Sequence, residues 1–241
     1  MHWADVAAQS LSHKGKKHVV STGITPSGEF HIGHLREILT GDMISRAAQN
    51  AGLDVDFVFI IDSADPLRKV YDFLGPEYEQ FVGNQLGAIP APKKDGSPDW
   101  GRFENENWTY ANHFLEPFLT ALSEIGVNPR LIDNLDSYRS GCFAELSKIA
   151  CDRADEIREC IERISSRELP DDWFPWSPLN SKKGLDKVKV TGYEYPLVHW
   201  KDEYGETGSS DITKGEGKLP WRIDWPAKWG WIGVTCEAFG K

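Results

Sequence analysis

Residues 17–34 read Lys17-His-Val-Val-Ser-Thr-Gly-Ile-Thr-Pro-Ser-Gly-Glu-Phe-His-Ile-Gly-His34, and their reading decides the fold. Lys17 to Ser21 is a short β-branched run that stops at Thr22-Gly23, a strand signal. Gly23 to Phe30 is rich in Gly, Thr, Pro and Ser, so it reads as a loop. From His31 to about Ala51 the apolar residues Leu35, Ile38, Leu39, Met43, Ile44 and Ala47 recur at spacings of three and four, which predicts a helix. Gly52 supplies its stop. Val55 to Ile61 is almost continuously apolar, as expected of a parallel strand buried on both faces. Strand, glycine-containing loop, helix and strand make a βαβ unit. Its ligand belongs at the carboxyl end of the first strand.

Within that unit, His31 and His34 stand three residues apart in the first helical turn, on one face. A helix amino terminus offers backbone N–H groups and a partial positive charge, which suit phosphate. Imidazole N–H groups beside them would stabilise charge developing on a leaving phosphate. Gly33 lacks a side chain, so a flat ring system can come close to the backbone. Gly28 is expected to let the loop turn toward the ligand.

Outward from this unit, Tyr110 to Ile125 predicts a helix, Pro129 to Asp133 a short strand, and Cys142 to Ser165 a long charged helix with a solvated face. After Pro170 the composition shifts. Residues 171–222 hold many Trp, Gly, Lys and Pro, with short alternating runs at Val188–Val190 and Tyr193–Trp200, and read as a small β-rich insertion. Trp231 to Cys236 reads as a further strand, and its Gly-containing tail resembles the start of another strand–loop–helix unit. Residues 1–170 are therefore expected to form the first half of a Rossmann-like catalytic domain. Residues 171–222 would be the insertion, and 223–241 the start of a second half, cut short. The fold class is α/β with a parallel nucleotide-binding sheet.

Composition narrows the rest. The 241 residues are 40% hydrophobic and 12% aromatic, with a net charge of −10. Such a chain is globular, and it lacks the basic footprint of a nucleic-acid binder. Any nucleic acid would be held mainly by regions outside it. No apolar run is long enough to span a membrane, and no signal peptide is evident, so a cytoplasmic protein is expected. Cys142, Cys151, Cys160 and Cys236 include no C-x-x-C pair. Reduced thiols and no zinc are expected.

The segment Thr22-Gly-Ile-Thr-Pro-Ser-Gly-Glu-Phe-His-Ile-Gly-His34 is similar to the signature of class I aminoacyl-tRNA synthetases. The fuller resemblance is to class I lysyl-tRNA synthetases. It adds the opening His2-Trp-Ala-Asp5, the loop Gly23–Gly28, the cluster Asp62, Asp65, Arg68, Lys69 and Val70, and Trp221-Arg-Ile-Asp-Trp-Pro226. It runs from residue 2 to 241 and weakens around 75–105 and 177–215. It implies activation of L-lysine with ATP and transfer to tRNA(Lys), magnesium arriving with the ATP. His31 and His34 would be catalytic, and Pro26, Ser27, Gly28, His31, Gly33 and His34 would bind ATP. Lysine would meet Gly23, Thr25, Asp62, Asp65, Asp224 and Trp225, the indole covering its methylenes. Arg68-Lys69 reads as a surface salt bridge, with the tRNA acceptor end as the alternative. The family's cysteines and histidines in the insertion are missing, apart from His199. Its Lys-Met-Ser-Lys-Ser loop is also missing, so the chain is expected to be truncated before it. Other HxGH nucleotidyltransferases and a non-catalytic truncated paralogue remain the alternatives.

Overall fold

The computed structural model describes residues 2–185 and 187–238. Phe239, Gly240 and Lys241, part of the tail expected to open a further strand–loop–helix unit, lie outside them. In chain order the elements begin α1 (Trp3–Ser12), β1 (Lys17–Ile24), α2 (Ile32–Asn50) and β2 (Asp54–Ile61). They continue with α3 (Trp100–Glu106), α4 (Tyr110–Glu124), β3 (Arg130–Asp133), α5 (Asn134–Arg139), α6 (Ala144–Asp152) and α7 (Ala154–Ser165). The remainder is β4 (Ser177–Pro178), β5 (Val188–Glu194), β6 (Leu197–Asp202), β7 (Thr207–Asp211), β8 (Gly217–Lys218), α8 (Trp221–Ile232) and β9 (Cys236–Glu237). The chain divides into two compact units. One is Met1–Asp65, Leu86–Asn134 and Ile232–Lys241; the other is Pro66–Gln85 and Leu135–Trp231. The compositional boundary at 170 does not coincide with a boundary between them.

The first unit holds a four-stranded sheet in the order β3-β2-β1-β9. Every pairing in it is parallel, with Lys17 to Ile24 of β1 aligned on Asp54 to Ile61 of β2. From β1 the chain proceeds to β2 and β3 on one side, and β9 lies on the other. The order reverses at β1, and a crevice beyond the carboxyl ends of the strands at such a point is where α/β sheets hold ligands. The loop 25–31 leaves β1 at that end. Two apolar clusters fix α2 in this unit. Ile38 packs with Ile24, Phe59, Ile61, Leu115 and Phe118. Ile44 and Ala48 pack with Ala8, Leu11, Val20 and Ala238. Gly41 is required between them, because a Cβ there would come within 2.7 Å of the Phe57 ring.

The second unit contains the antiparallel sheet β5-β6-β7 and the two-stranded β4-β8. Here the β-rich character expected of 171–222 is seen. Trp176 is buried, and its indole N–H donates to Ser210 Oγ at 2.9 Å. Residues 66–85 join this unit through their own backbone: Leu67 N–H donates to Asn84 O, and Leu185 N–H to Gly83 O at 2.7 Å.

Two elements differ from expectation. The long helix predicted from Cys142 to Ser165 is two helices, because Arg153 leaves helical geometry at φ −116, ψ 31. The first of them starts only at Ala144, so Cys142 precedes it and is exposed, while Cys151 is buried. Burial pushes the Cys151 thiol up to about 12, so it is inert near neutral pH. The strand predicted over Trp231 to Cys236 is reduced to Cys236–Glu237. Residues 221–232, including the whole Trp-Arg-Ile-Asp-Trp-Pro segment, are helical despite Pro226.

Candidate active site

His31 caps α2, and the two signature histidines are cross-braced by the backbone. His31 Nδ1 accepts the N–H of Gly33 at 3.0 Å, and His34 Nδ1 accepts the N–H of His31 at 3.1 Å. The rings stack with centroids 3.8 Å apart. Since both Nδ1 atoms accept, each neutral ring carries its hydrogen on Nε2. The motif thus presents two Nε2–H donors. Burial, and then the neighbouring His31, hold the His34 pKa below its ordinary value, which keeps that ring neutral at pH 7.

This geometry changes how a phosphate would be held. The amides of His31 and Gly33 are occupied by rings, and those of His34 and Leu35 by the His31 carbonyl. The helix end therefore contributes its dipole and ring donors more than its amides. Gly33 also has a local role: a Cβ there would lie 2.8 Å from His31 Cε1. A cleft of about 630 Å³ runs past Gly33, lined by Ile32, Arg36, Leu39 and Met43 of α2 with Trp3 of α1.

The loop before the helix is anchored from below. Ser27 N–H donates to Thr25 O, and the buried Tyr110 hydroxyl donates to Ser27 O at 2.8 Å. Phe30 stacks on Phe118 at 4.4 Å and meets the edge of His34 at 5.2 Å. Pro26 is buried here, and Gly28 turns without left-handed backbone. Beside the loop lies a cavity of about 380 Å³ lined by Glu29, Phe30, His113, Phe114 and Phe118. Desolvation, then Arg102, lowers the His113 pKa, with Glu29 opposing.

Gly23 and Thr25 stand at the end of β1, and Asp62 and Asp65 follow β2. Both aspartates are buried rather than solvated. Asp65 accepts from the Thr25 hydroxyl at 2.9 Å, and Asp62 from Asn134 Nδ2 at 3.0 Å. Asp133 beside them accepts from Ser63 Oγ at 2.6 Å. The structure thus brings together His31, His34, Gly33, Pro26 to Gly28, Gly23, Thr25, Asp62 and Asp65 in one unit.

Asp224 and Trp225 belong to the second unit, where their setting is a buried ion pair. Asp224 is fully buried; Lys228 Nζ lies 2.7 Å from its Oδ2 and 4.1 Å from the Trp225 ring centroid. The Tyr138 hydroxyl donates to Asp224 Oδ1 at 2.5 Å, and Lys218 approaches Oδ2 at 3.8 Å. The chain's own ammonium already occupies the position proposed for a bound lysine. Among the described residues Arg68 and Lys69 form no salt bridge; Lys69 lies over the Tyr71 ring at 5.4 Å. No group of three or more His, Cys, Asp or Glu among the described residues could hold a metal ion. No helix among them is long and apolar enough to cross a membrane.

A parallel sheet that reverses at β1, carrying a His-Ile-Gly-His helix at that point, is the α/β architecture of a class I tRNA synthetase. Comparison with known proteins makes this specific. The chain belongs to the family described as tRNA synthetases class I (K), which matches residues 1–241. It is 40% identical over 242 residues to a lysine–tRNA ligase of Thermoplasma acidophilum, covering all of this chain and 45% of that protein. Lysine–tRNA ligase 1 of Methanosarcina acetivorans is 41% identical over 244 residues, with 44% of it covered. The Methanocaldococcus jannaschii lysine–tRNA ligase is 40% identical over 246 residues, again with 44% covered. The chain spans less than half the length of these relatives.

Proposed function

We infer that the chain is the amino-terminal catalytic segment of a cytoplasmic lysine–tRNA ligase, activating L-lysine with ATP before transfer to tRNA(Lys). The observation that carries this is the pair of Nε2–H donors at the amino end of α2, at the reversal point of the sheet, in a chain whose relatives are named lysine–tRNA ligases. In the activation step the lysine carboxylate attacks the α-phosphorus of ATP. The bond to the bridging oxygen breaks, and pyrophosphate leaves; magnesium arriving with the ATP would offset its charge. His31 and His34 donate to the phosphates as charge builds on them. His34, whose pKa is lowered, acts by a directed hydrogen bond and not as a cation. Loss of one such donor costs roughly a hundredfold in rate.

Pro26, Ser27 and Gly28 line the phosphate approach on a loop held by Tyr110. Gly23 and Thr25 face the amino acid, and Asp62 and Asp65 supply the acidic wall for its side-chain ammonium. Within the second unit Lys228 engages both Asp224 and Trp225. tRNA contacts fall mainly outside this chain.

Pyrophosphate exchange tests the reading. Exchange that requires lysine, in a form extended to the length of the relatives, and that falls about a hundredfold in His31→Ala or His34→Ala, is the expected result. Exchange independent of lysine would instead indicate another nucleotidyltransferase. Absence of both exchange and ATP binding would indicate a non-catalytic protein.

A further inference from the structure

Glu37 follows His34 by three residues on α2, a rise of about 4.5 Å along the helix. Its carboxyl reaches the end of β1, within hydrogen-bonding range of the Gly23 backbone and the Thr22 side chain. Oε1 is enclosed and has no hydrogen bond of good geometry among the described residues, and the enclosed Thr22 hydroxyl beside it has none either. The nearby carboxylates differ: Asp65 is engaged by Thr25 and Asp62 by Asn134. Desolvation raises the Glu37 pKa, against smaller opposing contributions from Gly23, Arg36 and Thr22. Buried polar groups are ordinarily paired, and an exception asks for an explanation. Uncompensated carboxyls of this kind cluster at functional sites.

We propose that Glu37 accepts the α-ammonium of the amino-acid substrate, with the Thr22 hydroxyl beside it completing the acceptor pair. The inference rests on the ligase reading. There the substrate carboxylate must meet the α-phosphate held near His31 and His34. The α-ammonium sits on the carbon next to that carboxylate, whereas the side-chain ammonium lies four methylenes away. An acceptor one helical turn from His34, at the mouth of β1, therefore addresses the α-ammonium. On arrival the ammonium gives Oε1 a partner of good geometry, and the carboxyl is held ionised against it. Glu37 gives affinity for amino acids in general. Selection of lysine remains with Asp62 and Asp65.

Calorimetric titration of the chain with L-lysine, 6-aminohexanoate (lysine without its α-ammonium) and ATP tests this. Glu37→Gln is expected to weaken lysine binding by roughly tenfold or more, the loss of a charge-assisted hydrogen bond. ATP and the weakly bound 6-aminohexanoate should change by no more than about twofold on that account. Glu37→Asp keeps the charge but shortens its reach; it should also weaken lysine while sparing ATP, and serves if the Gln variant does not fold. An unchanged lysine-to-ATP affinity ratio in a folded variant overturns the inference and leaves the ligase reading standing. Equal weakening of all three ligands also overturns it, assigning Glu37 to packing. A wild-type chain that binds ATP but not lysine overturns the ligase reading itself, and this inference with it.

Discussion

At the scale of the residue, the brace between His31 and His34 makes protonation state and local stability one question. The folded state refuses a proton at His34 that the unfolded chain accepts below its ordinary pKa of 6.5. Stability should be complete above that pH and decline as pH falls through and below it. His113, lowered in the same direction, adds to the decline. Urea midpoints between pH 5 and 7.5 should show the slope, and His34→Gln should flatten it; an equally steep slope in that variant would refute the assignment. Gly33→Ala is expected to push the His31 ring from its cap and cost about 1 kcal/mol of stability, with activity falling further, as paired melting and exchange measurements would show. Lys228 offers a second test. Truncating it strands a fully buried carboxylate, so Lys228→Ala should destabilise by about 3–5 kcal/mol, and Lys228→Met with Asp224→Leu should recover much of that. The histidines were legible in the sequence because their spacing and their place after a strand are local facts. Tyr110, Phe30 and Glu37 were not, because their importance comes from partners or burial that only the folded chain supplies.

At the scale of the element, local pattern and tertiary context contributed unequally. The first βαβ unit was readable to within a few residues, because periodicity, glycines and a buried strand all agree there. The helix carrying Trp-Arg-Ile-Asp-Trp-Pro was not, because Pro226 and the aromatic residues argue against a helix when read locally. Its stability comes instead from burying Asp224, Trp225 and Lys228. The break at Arg153 was hidden for a similar reason: charged residues continue on both sides, and nothing in their order marks a change of direction. Glycine positions give the test at this scale. Gly184 has φ +87, and a Cβ there would lie 2.1 Å from the Gly83 carbonyl carbon. Gly184→Ala should therefore cost several times the usual penalty of about 1 kcal/mol for alanine at positive φ, and a urea midpoint close to wild type would show that the two segments part easily.

At the scale of the whole molecule, the net charge of −10 bears on the nucleic-acid partner. If tRNA is held mainly elsewhere, this chain alone should bind it weakly. The slope of log affinity against log salt should be shallow, of magnitude below about 3, reflecting few phosphate contacts. A steep slope from filter binding would reveal a basic face that the overall charge conceals. The α/β class was legible at this scale, but the division into two compact units was not, because residues 66–85 leave the first unit without any change of composition. The sheet order has a further consequence, for the sequence of events in folding. β1 meets β2 after only one helix, but Val20 waits for Cys236 before its other flank is covered. Closing so long a loop is entropically costly and slow. The β1–α2–β2 unit should form early during synthesis, and β9 should dock last. Pulsed hydrogen exchange should find the Ala238 amide, bonded to Ser21 O, protected later than the amides shared between β1 and β2.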